Sequence, residues 1–229
     1  MFFNAHAYYS SKRSLGRPQP LRILGAIIAD SEPTGVIGWQ DFHDKTTAQN
    51  FAKSMGNDGI DIGLGLADHL ELDSKTHDMY EGGKGYAFSH QTPELRKLVA
   101  RACGIKSAGK TEGLAHNFIE SGVDINLLRH DSSVQATLRS ALSQIDSKEV
   151  AEHLSSFFDL EKAKTEASLN MFIDLTTKYD LQNIDDWVAL WAEIAELLLD
   201  KALDRQTARH ALTMAADLTA SDYKRVITP

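Results

Sequence analysis

The chain has 229 residues, 42% hydrophobic and 24% charged, which suffices for one large domain or two small ones with a proper core. A formal charge of -8 argues against a non-specific nucleic-acid binder, which needs a basic face; a bound metal would still permit a nuclease. One cysteine against nine histidines rules out an internal disulfide framework and a Cys-rich zinc knuckle, and leaves a His/carboxylate set as the plausible multi-ligand metal site.

No run reaches about 18 consecutive apolar residues, so no membrane span is expected. The opening MFFNAHAYYSSKRS has no basic head before a long apolar stretch; it does not read as a secretory signal, and a cytoplasmic location is expected. His6 lies between Phe3 and Tyr9, where a half-buried ring is its plainest role. GRPQP (16–20) is a loop, and LRILGAIIAD (21–30) is an apolar run ending in Asp30 before the turn signal SEPTG. Asp30 is either a solvated helix end or a carboxylate presented into a site.

His43 sits in GWQDFHDK (38–45), ahead of the helical TTAQNFAKSM. Capping by Asp44 or Thr46 accounts for the acidic residues there but does not need the histidine. After the turn GNDG (56–59) a helix is expected to begin near Ile62 and to carry LGLADHLELDSKTHD (64–78). His69, Asp73 and His77 are four residues apart, and i and i+4 share one helix face. His116 and Glu120 repeat the spacing in GLAHNFIESGVD, on a helix expected over about 111–129.

A lone His–x–x–x–Asp is usually a surface ion pair. Here the pairs lie in apolar company, with Leu64, Leu66, Leu70 and Leu72 around the first and Leu114, Phe118, Ile119 and Val123 around the second. Charged groups in such surroundings are costly unless paired or metal-bound. Imidazole and carboxylate are ordinary ligands of zinc and similar ions.

EGGKG (81–85) follows a helix and lacks GxxxxGK[ST], so it is no phosphate cradle and a flexible, substrate-side loop is expected there. FSHQTPELRKLVARACG starts a helix capped by Thr92, with Pro93 first and Gly104 at its end; His90 reads as a turn residue. From Ser132 onward apolar positions recur at three- and four-residue steps, including the stripe Trp187, Leu190, Trp191, Ile194, Leu198 and Ala202. His153 and His210 look isolated. No strand pattern or repeat is visible. The expectation is an all-α, multi-helix bundle around a buried His/carboxylate metal cluster, with residues 1–130 as metal-binding core and 131–229 as C-terminal helices packing on it.

In chain order His6, Asp30, His43, His69, Asp73, His77, His116 and Glu120 resemble the ligand series of the zinc-dependent phospholipase C and single-strand nuclease superfamily, over about residues 4–124. FHDK (42–45) and HNFIESGVD (116–124) look like its third and last ligand segments. The resemblance implies an all-helical fold, two or three divalent metals (zinc, with manganese or iron as alternatives) and hydrolysis of a phosphate ester, with Asp30 and Asp73 as catalytic carboxylates. Asp73 would bridge two metals; Asp30 would hold one or take a proton from the attacking water. Two features depart from the family: the short step from Asp73 to His77, and the missing signal peptide and N-terminal ligand of secreted members. FFNAH (2–6), GAIIAD (25–30) and HLELDSKTHD (69–78) also resemble acyl carrier protein phosphodiesterase, an HD-like hydrolase. There His6, Asp30, His69 and Asp73 would carry the metal. Both resemblances predict the same chemistry; a non-catalytic helical protein stabilised by metal is the alternative. Asp124 is a candidate to orient a ligating histidine, Lys45 to neutralise a phosphoryl group, and loops 31–41 and 79–91 to set specificity. The partner implied is a phosphate-ester substrate, with no stable nucleic-acid binding.

Overall fold

The computed structural model describes residues 3–15, 19–78 and 83–229. Among these residues there is no strand, as expected. The helices are α1 (Phe3–Arg13), α2 (Pro20–Ile28), α3 (Trp39–His43), α4 (Lys45–Ser54), α5 (Gly59–Asp73), α6 (Tyr86–Ser89), α7 (Pro93–Ala102), α8 (Ala108–His130), α9 (Ser133–Leu142), α10 (Ser147–Phe158), α11 (Lys162–Thr177), α12 (Ile184–Leu199), α13 (Arg205–Thr219) and α14 (Tyr223–Ile227). No described helix is long and apolar enough to cross a membrane. Parts of the two proline- and glycine-rich loops, residues 16–18 of GRPQP and 81–82 of EGGKG, lie outside the described residues, as do residues 79–82 of the 79–91 loop.

Side-chain caps mark several starts. Asp44 accepts the Thr47 N–H at 2.7 Å to open α4, and Thr92 accepts the Leu95 N–H ahead of Pro93 in α7. Gly104 follows α7 with a left-handed φ of 61°, the conformation a chain end needs there. Both ligand helices start three residues earlier than the apolar pattern suggests, α5 at Gly59 and α8 at Ala108. Leu64 is 44% exposed and does not crowd His69. Five residues along a helix turn a side chain well away from the first, whereas Leu66 and Leu72, three residues to either side, are buried.

The chain forms two compact units that interleave in sequence. Unit I is Met1–Ala5, Leu72–Ser133 and Tyr179–Thr228; unit II is His6–Glu71 and Val134–Lys178. Neither coincides with a division at residue 130.

Unit I is built on α8, which is buried from Phe118 to Leu128. Helix α13 offers it a row of small residues, Ala208, Ala211, Ala215 and Ala216, all buried. The approach is so close that a Cβ on Gly122 would lie 2.5 Å from the Ala215 carbonyl. From α12, Trp191 stacks on Phe118 at 4.3 Å and donates its indole N–H to Ser121 Oγ. Part of the Trp187 to Leu198 stripe is thus core, with Trp187, Leu190, Trp191 and Ile194 buried.

Unit II has a different anchor. Phe42, Phe51, Phe157 and Phe158 form one aromatic cluster that ties α3 and α4 to the end of α10. Helices α2 and α5 cross at two glycines. A Cβ on Gly25 would come within 2.3 Å of the Ile62 carbonyl oxygen, and one on Gly65 within 2.1 Å of the Arg22 oxygen. Both neighbours are backbone, which cannot move aside like a flexible side chain. Gly65→Ala is therefore expected to lower the thermal midpoint, at a cost of about 1–3 kcal/mol or more; a midpoint equal to wild type in a melting experiment would remove this account of the crossing.

Candidate metal centre

The eight candidate ligands divide evenly between the units. His6, Asp30, His43 and His69 belong to unit II, and Asp73, His77, His116 and Glu120 to unit I.

In unit II the glycine crossing has a direct chemical result. It brings the Ala26 carbonyl of α2 to 2.9 Å from His69 Nδ1 on α5. Across the site, α3 holds His43 one turn after Trp39, whose carbonyl lies 2.6 Å from His43 Nδ1 and whose ring stacks on the imidazole at 4.5 Å. A carbonyl oxygen only accepts, so both Nδ1 atoms carry hydrogen and donate. In the neutral rings both Nε2 atoms then present lone pairs, and these face each other at 3.3 Å. Nitrogens so placed share either a proton or a cation between or beside them. Two imidazole nitrogens bound to one tetrahedral zinc, each at about 2.0–2.1 Å, are themselves about 3.3 Å apart. A carboxylate oxygen of Asp30 completes the group, all three donor atoms lying within 4.8 Å of one another. The buried His6 ring stacks on His69 at 4.1 Å. The residues present fit a divalent ion.

Comparison with protein-family models, with curated proteins and with solved structures gave no match.

In unit I, α5 does not continue as an α-helix to His77. It widens into a π turn, Ser74–Asp78, and this brings His77 Nδ1 to 3.5 Å from Asp73 while Nε2 lies 2.8 Å from Glu120 on α8. His116, one turn before Glu120, stands edge-on to His77 at 4.9 Å between ring centroids. Donor atoms of His77, His116 and Glu120 all lie within 4.8 Å of one another. In the metal-free chain His77 carries the positive charge that Glu120 and Asp73 favour, a proton it must give up to bind a metal. Burial opposes charge on His77, but the hydrogen bond and charge of Glu120, with the charge of Asp73, push its pKa up to about 9. Burial takes His116 down to about 4, leaving it neutral at pH 7. Burial also works to raise Glu120, yet nearby positive charge and the His77 hydrogen bond hold it well below the usual carboxylate range. The 2.8 Å spacing of His77 and Glu120 is that of a charge-assisted hydrogen bond. An ion between them would widen it by about half an ångström.

This pair has a pH signature in the metal-free chain. His77 has a folded pKa above its unfolded value near 6.5, so its contribution is complete below pH 6.5 and is lost as pH rises through 9. The thermal midpoint of chelated protein is expected to fall between pH 7 and pH 10, and the fall to shrink in His77→Gln. A His77→Gln profile as steep as wild type would contradict the assignment.

Asp124 does not orient a histidine. It accepts the Asn4 and Ala5 backbone N–H groups at 2.9 and 2.8 Å and the Asn4 amide at 3.2 Å, and so anchors the first turn of the helix that carries His6. Burial pushes its carboxyl up to about 7 against the pull of these donors. Lys45 is exposed at the start of α4, its commoner role. His90 is more than a turn residue. It packs on Tyr86 and reaches Asp222, 132 positions along the chain. The carbonyls of Ala26 and Trp39, which orient two candidate ligands, had no side-chain signal in the sequence. The signal for the first was indirect: two glycines within an apolar helical pattern mark a close backbone approach.

Proposed function

We propose that this chain is a metal-dependent hydrolase of a phosphate ester, using zinc or a similar divalent ion on a phosphodiester. The observation that carries the reading is the 3.3 Å separation of His43 Nε2 and His69 Nε2, each ring locked by a carbonyl on its other nitrogen. Such outer hydrogen bonds are typical of metal-binding histidines. Two histidines and one carboxylate leave a coordination position open, which is the pattern of catalytic sites, whereas a structural zinc site is closed by four protein ligands. The phosphate-ester class rests on the two family resemblances, which agree on that chemistry.

A divalent ion held by Asp30, His43 and His69 would supply Lewis acidity toward a phosphoryl oxygen and bring a water to a pKa near 7. The protein's own part is orientation. His69 and His43 cannot swing, because Ala26 and Trp39 hold their far nitrogens. Asp30 is only partly buried, so its carboxylate can serve as ligand or accept a proton from the attacking water.

The test is elemental analysis of protein purified without added metal or chelator, together with hydrolysis of bis(p-nitrophenyl) phosphate. Two or more equivalents of zinc, manganese or iron and a chelator-sensitive rate support the proposal. One tightly held equivalent with no hydrolysis would favour a structural metal. No metal, even after reconstitution, would overturn the reading.

A further inference from the structure

Helix α6 has a role that the ligand series does not explain. It is four residues long and sits against the π turn: a Cβ on Gly85 would lie 2.3 Å from the Thr76 oxygen. From α6 the partly exposed Phe88 ring packs 5.2 Å from the His116 ring and 6.3 Å from that of His77. A helix this short has little stability of its own. Burial of Tyr86 and Ala87 packs it down, and the polar hold comes from Asp222, at the start of α14. Its Oδ1 accepts the Tyr86 hydroxyl at 2.7 Å, and its Oδ2 faces His90 Nε2 at 3.0 Å. The His90 ring lies flat on Tyr86 at 4.0 Å, and its Nδ1 is 2.9 Å from the Tyr86 carbonyl. Asp222 occupies the N-cap position of α14, but its side chain makes no capping hydrogen bond there. One carboxylate oxygen is engaged with α6 and the other with His90, the residue that closes it.

We propose that Asp222 is a positioning residue for the His77–His116–Glu120 group: by gripping Tyr86 and His90 it fixes α6, and with it the Phe88 ring that covers the two imidazoles. The purpose of the cover rests on the metal reading above, for an apolar wall beside a coordination position restrains the exchange of ion and water. The wall itself is a property of the chain and can be measured without any ion.

The experiment has two arms on Phe88→Ala, Asp222→Ala, Asp222→Asn and the double alanine variant. In metal-free protein, carbethoxylation of His116 is followed by mass spectrometry. In zinc-loaded protein, release of zinc to a chromophoric chelator is timed. Phe88→Ala and Asp222→Ala are each expected to raise the His116 modification rate and one zinc-release rate about tenfold, the scale of one or two lost charged hydrogen bonds. Zinc stoichiometry at saturation stays unchanged, and Asp222→Asn, which still accepts from Tyr86, falls between. The double variant should be no faster than Phe88→Ala, since both changes remove one cover. Wild-type His116 modification in Asp222→Ala, or additive rates in the double variant, would overturn the proposal. A chain that holds no zinc yet modifies His116 faster in Asp222→Ala would sink the metal reading and leave the cover standing.

Discussion

His69→Ala is expected to lower bound metal by one equivalent per chain and to reduce phosphodiester hydrolysis by more than 100-fold. Mutating an outer hydrogen-bond partner of a metal ligand typically costs about 10–100-fold in affinity or activity, and His69 is a direct donor, fully buried and already oriented. A companion variant separates donation from orientation. His43→Ala removes the second nitrogen of the facing pair from a side chain that is only partly buried, so the fold is disturbed less. Both variants should lose the same equivalent. If His69→Ala retains full metal and activity, the Asp30–His43–His69 group is not a metal centre.

The second large effect concerns stability. Asp68→Ala is expected to cost about 3–5 kcal/mol, as does breaking one side of a buried ion pair elsewhere, and so to lower the midpoint by roughly 6–20 °C for a chain of this size. Asp68 is 3% exposed and holds three helices of unit II at once. It accepts from Ser10 Oγ at 2.7 Å on α1 and from Arg22 Nε and Nη2 at 2.9 and 2.7 Å on α2, and Arg13 Nε adds a contact at 2.9 Å. Glu71, one turn on, pairs with Arg13 and accepts the Tyr9 hydroxyl at 2.6 Å. Burial and the Glu71 hydrogen bond push Tyr9 up to about 12, so it stays a donor throughout the working pH range. Removing Asp68 strands the buried Arg22 guanidinium. Asp68→Leu combined with Arg22→Met should therefore cost less than Asp68→Ala alone, and a double variant worse than the single one would refute the network. These helices carry His6, the Ala26 carbonyl and His69, so the same variant should also weaken metal binding in unit II.

What the sequence revealed and what it hid follow from distance along the chain. Helices were legible because their signals are local: the Thr92–Pro93 start and the apolar steps around Trp187 and Trp191 need only a few neighbours. His69 with Asp73, and His116 with Glu120, were legible for the same reason, since one helical turn brings each pair to one face. The side chain of Asp68, next to His69 in the sequence, went unread because its partners Arg22, Arg13 and Ser10 are 46 to 58 positions away. Asp222 is farther still from Tyr86. Gly25 and Gly65 each look like a flaw in a helical pattern until the facing backbone is seen. His77 was expected to follow on the same face if the helix ran on another turn; a π turn, not a further α turn, carries it to Glu120.

The interleaving of the two units fixes an order on synthesis. Unit II draws on 6–71 and 134–178, and unit I on 72–133 and 179–228, so each early segment must wait for a later one. As the chain leaves the ribosome, α8 emerges long before α13, and its Gly122 face has no partner until residues 205–219 are made. His116 and Glu120 ride on that helix, so their unit is completed after unit II, whose later segment ends at Lys178. A nascent chain arrested before residue 205 should hold α8 in a protease-sensitive state, with the risk of aggregation that exposed apolar surface brings.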